Sequence, residues 1–172
     1  VSNGTNPEML ERCDPTQLYV SVDAADRKTF DETVKAVEDG AWESLIETLD
    51  VLAEKDETRT VIRTTLVNGH NMHHPEWYAA MCDRANADFV ELKAYMHIGH
   101  SRGRLDRNSM LDHDDVVEFA EEMQRFLPAH DEIKEVPESR VAMLSTENDT
   151  WVPKLKKQSD FWADDPLVEY GD

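Results

Sequence analysis

The sequence predicts an α/β fold, an open and partial barrel of parallel βα units whose inner wall is polar. Three observations carry that expectation. Strand-like runs alternate along the chain with helix-like runs, the pattern that builds parallel sheets with right-handed crossovers. Each of three successive strands has one aliphatic phase and one phase of charged or hydroxyl side chains, which suits a wall packed by helices on one side and facing a cavity on the other. The 172 residues suffice for one good core but fall short of the roughly 250 of a closed eight-unit barrel.

From the start, SNGT (Ser2 to Thr5) reads as the end of a strand entering a turn, and Val1 follows no initiator methionine, so the chain is expected to begin inside a larger protein. Pro7 to Arg12 offers a short helical turn, and Asp14-Pro15 punctuates it. The first full strand is Gln17 to Asp23, with Leu18, Val20 and Val22 on the helix side and Tyr19, Ser21 and Asp23 on the other. Phe30, Val34 and Val37 fall at helical spacing until Gly40 breaks the run. Trp42, Leu45, Ile46, Leu49 and Leu52 then mark a strongly amphipathic helix.

Arg59 to Val67 repeats the strand pattern, with Ile62 and Leu66 in one phase and Val61, Arg63 and Thr65 in the other. Asn68-Gly69 ends it. Pro75 opens a helix to about Asn86 whose apolar side is Trp77, Tyr78, Met81 and Cys82. The third strand begins at Phe89. After its loop a helix runs from about Asp114 to Phe126, with Asp112 as cap and Val116, Val117, Phe119, Ala120, Met123 and Phe126 as its buried face.

Composition narrows the classes of function. The 37 acidic and 18 basic residues give a formal charge of −19, so the chain self-repels at low salt and a halophilic source is expected. Such a surface argues against general nucleic-acid binding, while leaving room for local basic clusters at Arg102, Arg104 and Arg107 and at Lys154, Lys156 and Lys157, the second read as a solvated tail. Cys13 and Cys82 have no pairing, zinc or cluster spacing, which points to a reducing cytoplasm. No run is long enough to cross a bilayer and no signal-peptide pattern opens the chain.

A Gly-rich phosphate loop and a GxSxG elbow are both absent, so nucleotide hydrolysis and serine-type acyl transfer have no support. His70, His73 and His74 gather in one loop, but their spacing matches no closed metal motif. Trp151, Phe161, Trp162 and Tyr170 are expected to pack back on the domain.

The third strand and its loop, FVELKAYMHIGHSRGRL from Phe89 to Leu105, hold the densest chemistry. Phe89, Glu91, Lys93 and Tyr95 share one face, and Val90, Leu92, Ala94 and Met96 the other. The loop sets His97, His100, Ser101, Arg102 and Arg104 around two glycines, suited to an anionic or planar polar ligand at the strand's carboxyl end. In folds of this class ligands bind at that end. The charges Asp23, Arg63, Glu91 and Lys93 also suit a structural ion-pair network, because buried charges must be paired. On the residues alone both readings stand.

The run LKAYMHIGHSRGRL, followed by NSM and HDDVVEFA, closely resembles the C-terminal region of the wyosine-forming radical S-adenosylmethionine enzymes, the tRNA 4-demethylwyosine synthases. The resemblance extends back through SNGT, LYVSVDA (Leu18 to Ala24) and RTVIRTTLVNGHN (Arg59 to Asn71), covering the chain to about Ser145. It implies the C-terminal part of a radical-type TIM-like partial barrel at residues 1–96, a wyosine-base-formation extension at 97–145, and a tail at 146–172 that packs on the domain or on a preceding portion.

The resemblance further implies cleavage of S-adenosyl-L-methionine on a 4Fe-4S cluster. The resulting radical takes hydrogen from the N1-methyl group of methylguanosine in the tRNA-Phe anticodon loop, and pyruvate carbons then close the third ring. By the same carry-over Asn3, Ser21, Asp23, Arg63 and Thr65 bind S-adenosyl-L-methionine. Glu91, Lys93 and Tyr95 line the cavity near cofactor or pyruvate as catalytic groups, and His97, Ser101, Arg102 and Arg104 approach the tRNA.

The family's CxxxCxxC set has no counterpart among these residues, nor has the N-terminal lysine region associated with pyruvate. The cluster is therefore expected on a fused upstream portion or a separate chain, and this chain alone is expected to be inactive. Two alternatives stay open: a non-catalytic tRNA-binding or assembly subunit on the same scaffold, and a barrel hydrolase using the histidine loop as a metal site.

Overall fold

A five-stranded mixed sheet with helices on one face organises the chain. The structure, a computed structural model, describes residues 1–145. The expectations for Trp151, Lys154, Lys156, Lys157, Phe161, Trp162 and Tyr170 lie outside them. The elements run α1 (Pro7–Glu11), β1 (Gln17–Ser21), α2 (Arg27–Thr33), α3 (Ala41–Ala53), β2 (Arg59–Leu66), α4 (Pro75–Arg84), β3 (Phe89–Ala94), α5 (His113–Gln124), β4 (Glu132–Val136) and β5 (Val141–Ser145). Short 3-10 turns at Gly99–Gly103 and Arg107–Ser109 fill the loop after β3.

Strand order is β1-β2-β3-β5-β4. The first three are parallel, whereas β5 lies antiparallel to β3, and β4 antiparallel to β5. The expected parallel βα units are therefore present, and the sheet stays open. The antiparallel pair was not expected. Glu132–Val136 shows no buried face, being half-buried then exposed throughout, and five residues give periodicity little to work on.

The core confirms the predicted phases. Leu18, Val20 and Val22 of β1, Ile62 and Leu66 of β2, Val90, Leu92 and Ala94 of β3, and Ala142 and Leu144 of β5 join one apolar cluster with the buried sides of α3, α4 and α5. Buried residues of the opposite phase, Val61, Phe89 and Tyr95, lie outside it. Asp112 and Asp115 form a reciprocal capping box that fixes the start of α5.

Four edges of the expectation need correction. Helix α2 stops at Thr33, and Lys35 adopts φ +50°, so Val34 and Val37 find no core to bury against and Val37 is 100% exposed. Helix α5 ends at Gln124, which leaves Phe126 exposed. Trp77 also faces outward, stacked on His74 at 3.8 Å between ring centres. Met96 lies past the end of β3 and is exposed.

Ser2 makes a parallel bridge to Val20 along the free edge of β1, with Ser2 N donating to Tyr19 O and Ser21 N to Ser2 O. The turn that follows is fixed by Gly4, whose φ is +73° and whose carbonyl accepts from the Thr48 hydroxyl at 2.8 Å. A Cβ there would meet Leu45 Cδ1 at 2.7 Å and Val20 Cγ1 at 3.2 Å. Gly4→Ala is expected to lower stability by about 2–4 kcal/mol, combining left-handed strain with overpacking of a buried site. Denaturant unfolding at fixed salt checks it, and a loss under about 1 kcal/mol would count against the close approach.

Candidate functional site

Parallel register places the polar side chains in rows across the sheet. Ser21 pairs with Arg63, Arg63 with Glu91, and Glu91 with Met143. The next row, toward the strand ends, holds Thr65, Lys93 and Val141. Because successive side chains alternate, every member of these rows projects to the face opposite the helices.

Arg63 and Glu91 form a direct ion pair, Nε to Oε1 at 2.8 Å, in which Glu91 is nearly enclosed and Arg63 keeps 30% of its side chain exposed. The guanidinium also lies over the Tyr19 ring, 4.5 Å from its centre. Burial, and then the Glu91 carboxylate, push the Tyr19 hydroxyl above its ordinary range. Two of the four charges thus do form the structural pair, while Asp23 and Lys93 stand apart from it.

Asp23 Oδ1 accepts from the Thr65 backbone N–H at 2.7 Å. Burial raises its carboxyl above the ordinary range even though hydrogen bonds from Thr65 and the Arg63 charge work the other way. Lys93 is half-buried and makes no hydrogen bond or ion pair among the described residues. An ammonium of this kind, without a carboxylate partner on a polar wall, is chemically available to an anion. The Asn3 side chain serves its own turn, accepting from the Thr5 N–H at 3.2 Å and hydroxyl at 2.9 Å.

Tyr95 anchors the loop beyond β3. Its buried hydroxyl donates to Ser101 Oγ at 3.1 Å and lies 3.2 Å from His97 Nδ1. Ser101 in turn donates to the Ile98 carbonyl at 2.5 Å, and Arg102 Nε to the His97 carbonyl at 3.1 Å. The loop encloses an open depression of about 440 Å³ lined by Met96, His97, Ile98, Arg102, Arg107 and Met110. Arg104 is exposed. Asn68 N–H donates to the Ser109 carbonyl at 3.0 Å and its side chain to that of Asn108 at 3.2 Å, so the loops after β2 and β3 adjoin.

His73 and His74 meet edge to face, 5.4 Å between ring centres, but bond to different partners, and His70 is exposed. His73 Nε2 sits 3.0 Å from the Thr29 hydroxyl and 3.8 Å from Asp26, and His74 pairs with Glu76. Among the described residues no group of three or more His, Cys, Asp or Glu is arranged to hold a metal ion. Burial pushes the thiol of Cys82 up, away from thiolate chemistry.

Sequence reasoning missed Asn71 altogether. It is buried and bonded to both β1 and β2. Its position in a polar loop carries no periodic signal, so only the fold reveals it. Tyr19 and Arg107 were read for strand phase and charge, and the structure places them beside Arg63 and on the depression.

An open α/β sheet with a helix-covered back and a polar front presents its ligand-binding side at the carboxyl ends of its parallel strands. The family model for wyosine base formation matches residues 84–146. The S-adenosyl-L-methionine-dependent tRNA 4-demethylwyosine synthase of Pyrococcus horikoshii is 44% identical over 150 residues, spanning 84% of this chain and 43% of the relative. That of Methanocaldococcus jannaschii is 39% identical over 155 residues, 90% and 48%. A solved structure of TYW1 with a lysine–pyruvate adduct bound superposes with a TM-score of 0.73 at 36% identity, covering 85% of this chain and 46% of that one. The crystal structure of archaeal TYW1 gives 0.66 at 34%, with coverage of 85% and 45%.

Residues 84–146 match the wyosine base formation family, and most of the chain is similar to tRNA 4-demethylwyosine synthases. The chain spans less than half the length of these curated relatives.

Proposed function

We propose that this chain forms the substrate-side wall of a tRNA 4-demethylwyosine synthase, the enzyme that joins pyruvate carbons to N1-methylguanosine in tRNA-Phe. The observation that carries this reading is the register row from Ser21 through Arg63 to Glu91, with Lys93 beyond it, on the open face of the sheet. In the cytoplasm, where such tRNA is made, the protein would take S-adenosyl-L-methionine, pyruvate and an anticodon loop.

The strand ends suit S-adenosyl-L-methionine. With Oδ1 committed to Thr65, Asp23 has a second carboxylate oxygen to accept from the ligand's ammonium. The hydroxyls of Ser21 and Thr65 flank the same strand ends. Arg63, held by Glu91, presents a fixed rather than a mobile cation. Lys93, with no carboxylate partner among the described residues, would pair with the pyruvate carboxylate, and Tyr95 anchors the adjoining loop through Ser101.

The 4Fe-4S cluster does not fit these residues. Two cysteines, at 13 and 82, cannot supply a three-cysteine set, and Cys82 is buried. Its ligands must therefore come from outside the 172 residues, and no step through it is derived from this chain. The tRNA reading draws on His97, Arg102 and Arg107 at the depression and on the exposed Arg104 of the same loop, a local basic edge on a strongly acidic protein. The target base must leave its stack to reach the wall.

The natural polypeptide carrying these residues, purified from its source without oxygen, gives the test. A mass well above 19.8 kDa, about one or two four-iron clusters per chain, and conversion of methylguanosine tRNA with pyruvate and S-adenosyl-L-methionine to 4-demethylwyosine are expected. Iron-free protein that makes no product, alone or with any co-purifying chain, would sink the proposal.

A further inference from the structure

We infer that Asn71 is a positioning residue whose amide ties the carboxyl ends of β1 and β2 together and so sets the relative placement of Asp23 and Thr65 at those strand ends. The inference rests on the reading of those strand ends as the S-adenosyl-L-methionine site. Asn71 is 1% exposed, and each of its polar side-chain atoms is used. Its Nδ2 donates to the Asp23 carbonyl at 2.9 Å and to the Thr65 carbonyl at 2.8 Å, while Oδ1 accepts from the Val67 N–H at 2.7 Å.

The location explains why a side chain is needed there. Regular pairing of β1 with β2 ends at Ser21 and Arg63, with Val22 N–H donating to the Arg63 carbonyl as the last backbone link. Beyond it the two segments are held by the Thr64 hydroxyl on the Val22 carbonyl at 2.8 Å, by the carboxylate of Asp23 on the Thr65 N–H, and by Asn71. The Tyr78 hydroxyl of α4 donates to the Asn71 carbonyl at 3.1 Å, which seats the asparagine from the helix side. An amide is the side chain of this size that offers two donors and an acceptor at once. An aspartate would keep the acceptor and lose both donors, and an alanine would leave three buried backbone groups without partners.

The experiment compares the purified chain with the uncharged variants Asn71→Ala and the milder Asn71→Ser. Two readouts are taken: the titration midpoint of the Asp23 carboxyl by carbon-detected NMR, and binding of S-adenosyl-L-methionine by equilibrium dialysis. In the variants the Asp23 midpoint is expected to fall toward the ordinary carboxylate range as water reaches the loosened strand end, and binding to weaken at least tenfold. Asp50, in its exposed pair with Arg84, should titrate unchanged, which separates a local effect from general loosening. In an Asp23→Asn background the Asn71 change should add little to the loss of binding.

A folded variant with an unmoved Asp23 midpoint and unchanged affinity overturns the inference. A midpoint that moves in the variants while the wild-type chain binds no S-adenosyl-L-methionine overturns the cofactor reading instead, and with it the functional role given to Asn71.

Discussion

Replacing Arg63 with methionine is expected to lower the unfolding free energy by about 3 kcal/mol, the lower end of the range for breaking a buried ion pair. The reason is the partner left behind. Glu91 is 7% exposed, and without the guanidinium its carboxylate loses the cation bonded to it. The low end applies because Arg63 itself is partly solvated. Adding Glu91→Leu to Arg63→Met should recover most of the loss, since Met143 and Tyr19 flank the pair and an apolar replacement of both partners is often neutral. Urea titrations at constant salt measure both. A single-variant cost under 1 kcal/mol, or a double variant no better than the single, would mean that the charge pair is not what holds the centre of the wall.

Asp23→Asn is expected to raise stability and remove affinity together. Burial keeps the Asp23 carboxyl above its ordinary range, so the folded chain holds that proton more tightly than the unfolded chain does. A raised carboxyl costs stability as pH climbs through the ordinary carboxylate range, and the whole penalty is present once pH passes the folded-state value. Asparagine carries no charge to desolvate and still accepts the Thr65 N–H. The variant should therefore melt above the wild type at neutral pH, and the gap should close as the pH falls. Binding of S-adenosyl-L-methionine should weaken by roughly 10- to 100-fold, the value of one hydrogen bond to a charged group. Equal affinity in the two proteins would remove Asp23 from the cofactor site.

Much of this arrangement was legible in the sequence because strand alternation is a local rule. Leu18, Val20 and Val22 could be assigned to the helix side, and Ser21, Arg63 and Glu91 to one polar face, without knowing which strands were neighbours. Local pattern cannot report pairing. That Arg63 meets Glu91 depends on a register between segments 28 residues apart, and the antiparallel return of β5 depends on where α5 delivers the chain. The helix ends failed for a related reason: Val37 and Phe126 continue an apolar spacing after the core they would have joined has run out. Asn71 was illegible because its value lies in three hydrogen bonds to segments that only the fold assembles.

The reversed direction of β5 fixes which way the wall can grow. With β3's far side taken by a strand of opposite sense, and the outermost β4 carrying Glu132, Lys134 and Glu135 along an exposed margin, further strands are discouraged there. Lengthening is possible from the β1 side, where Ser2 already lies alongside Val20. A sheet that can be extended at one margin only stays open at the other, so its polar face is reachable from the side as well as from the strand ends.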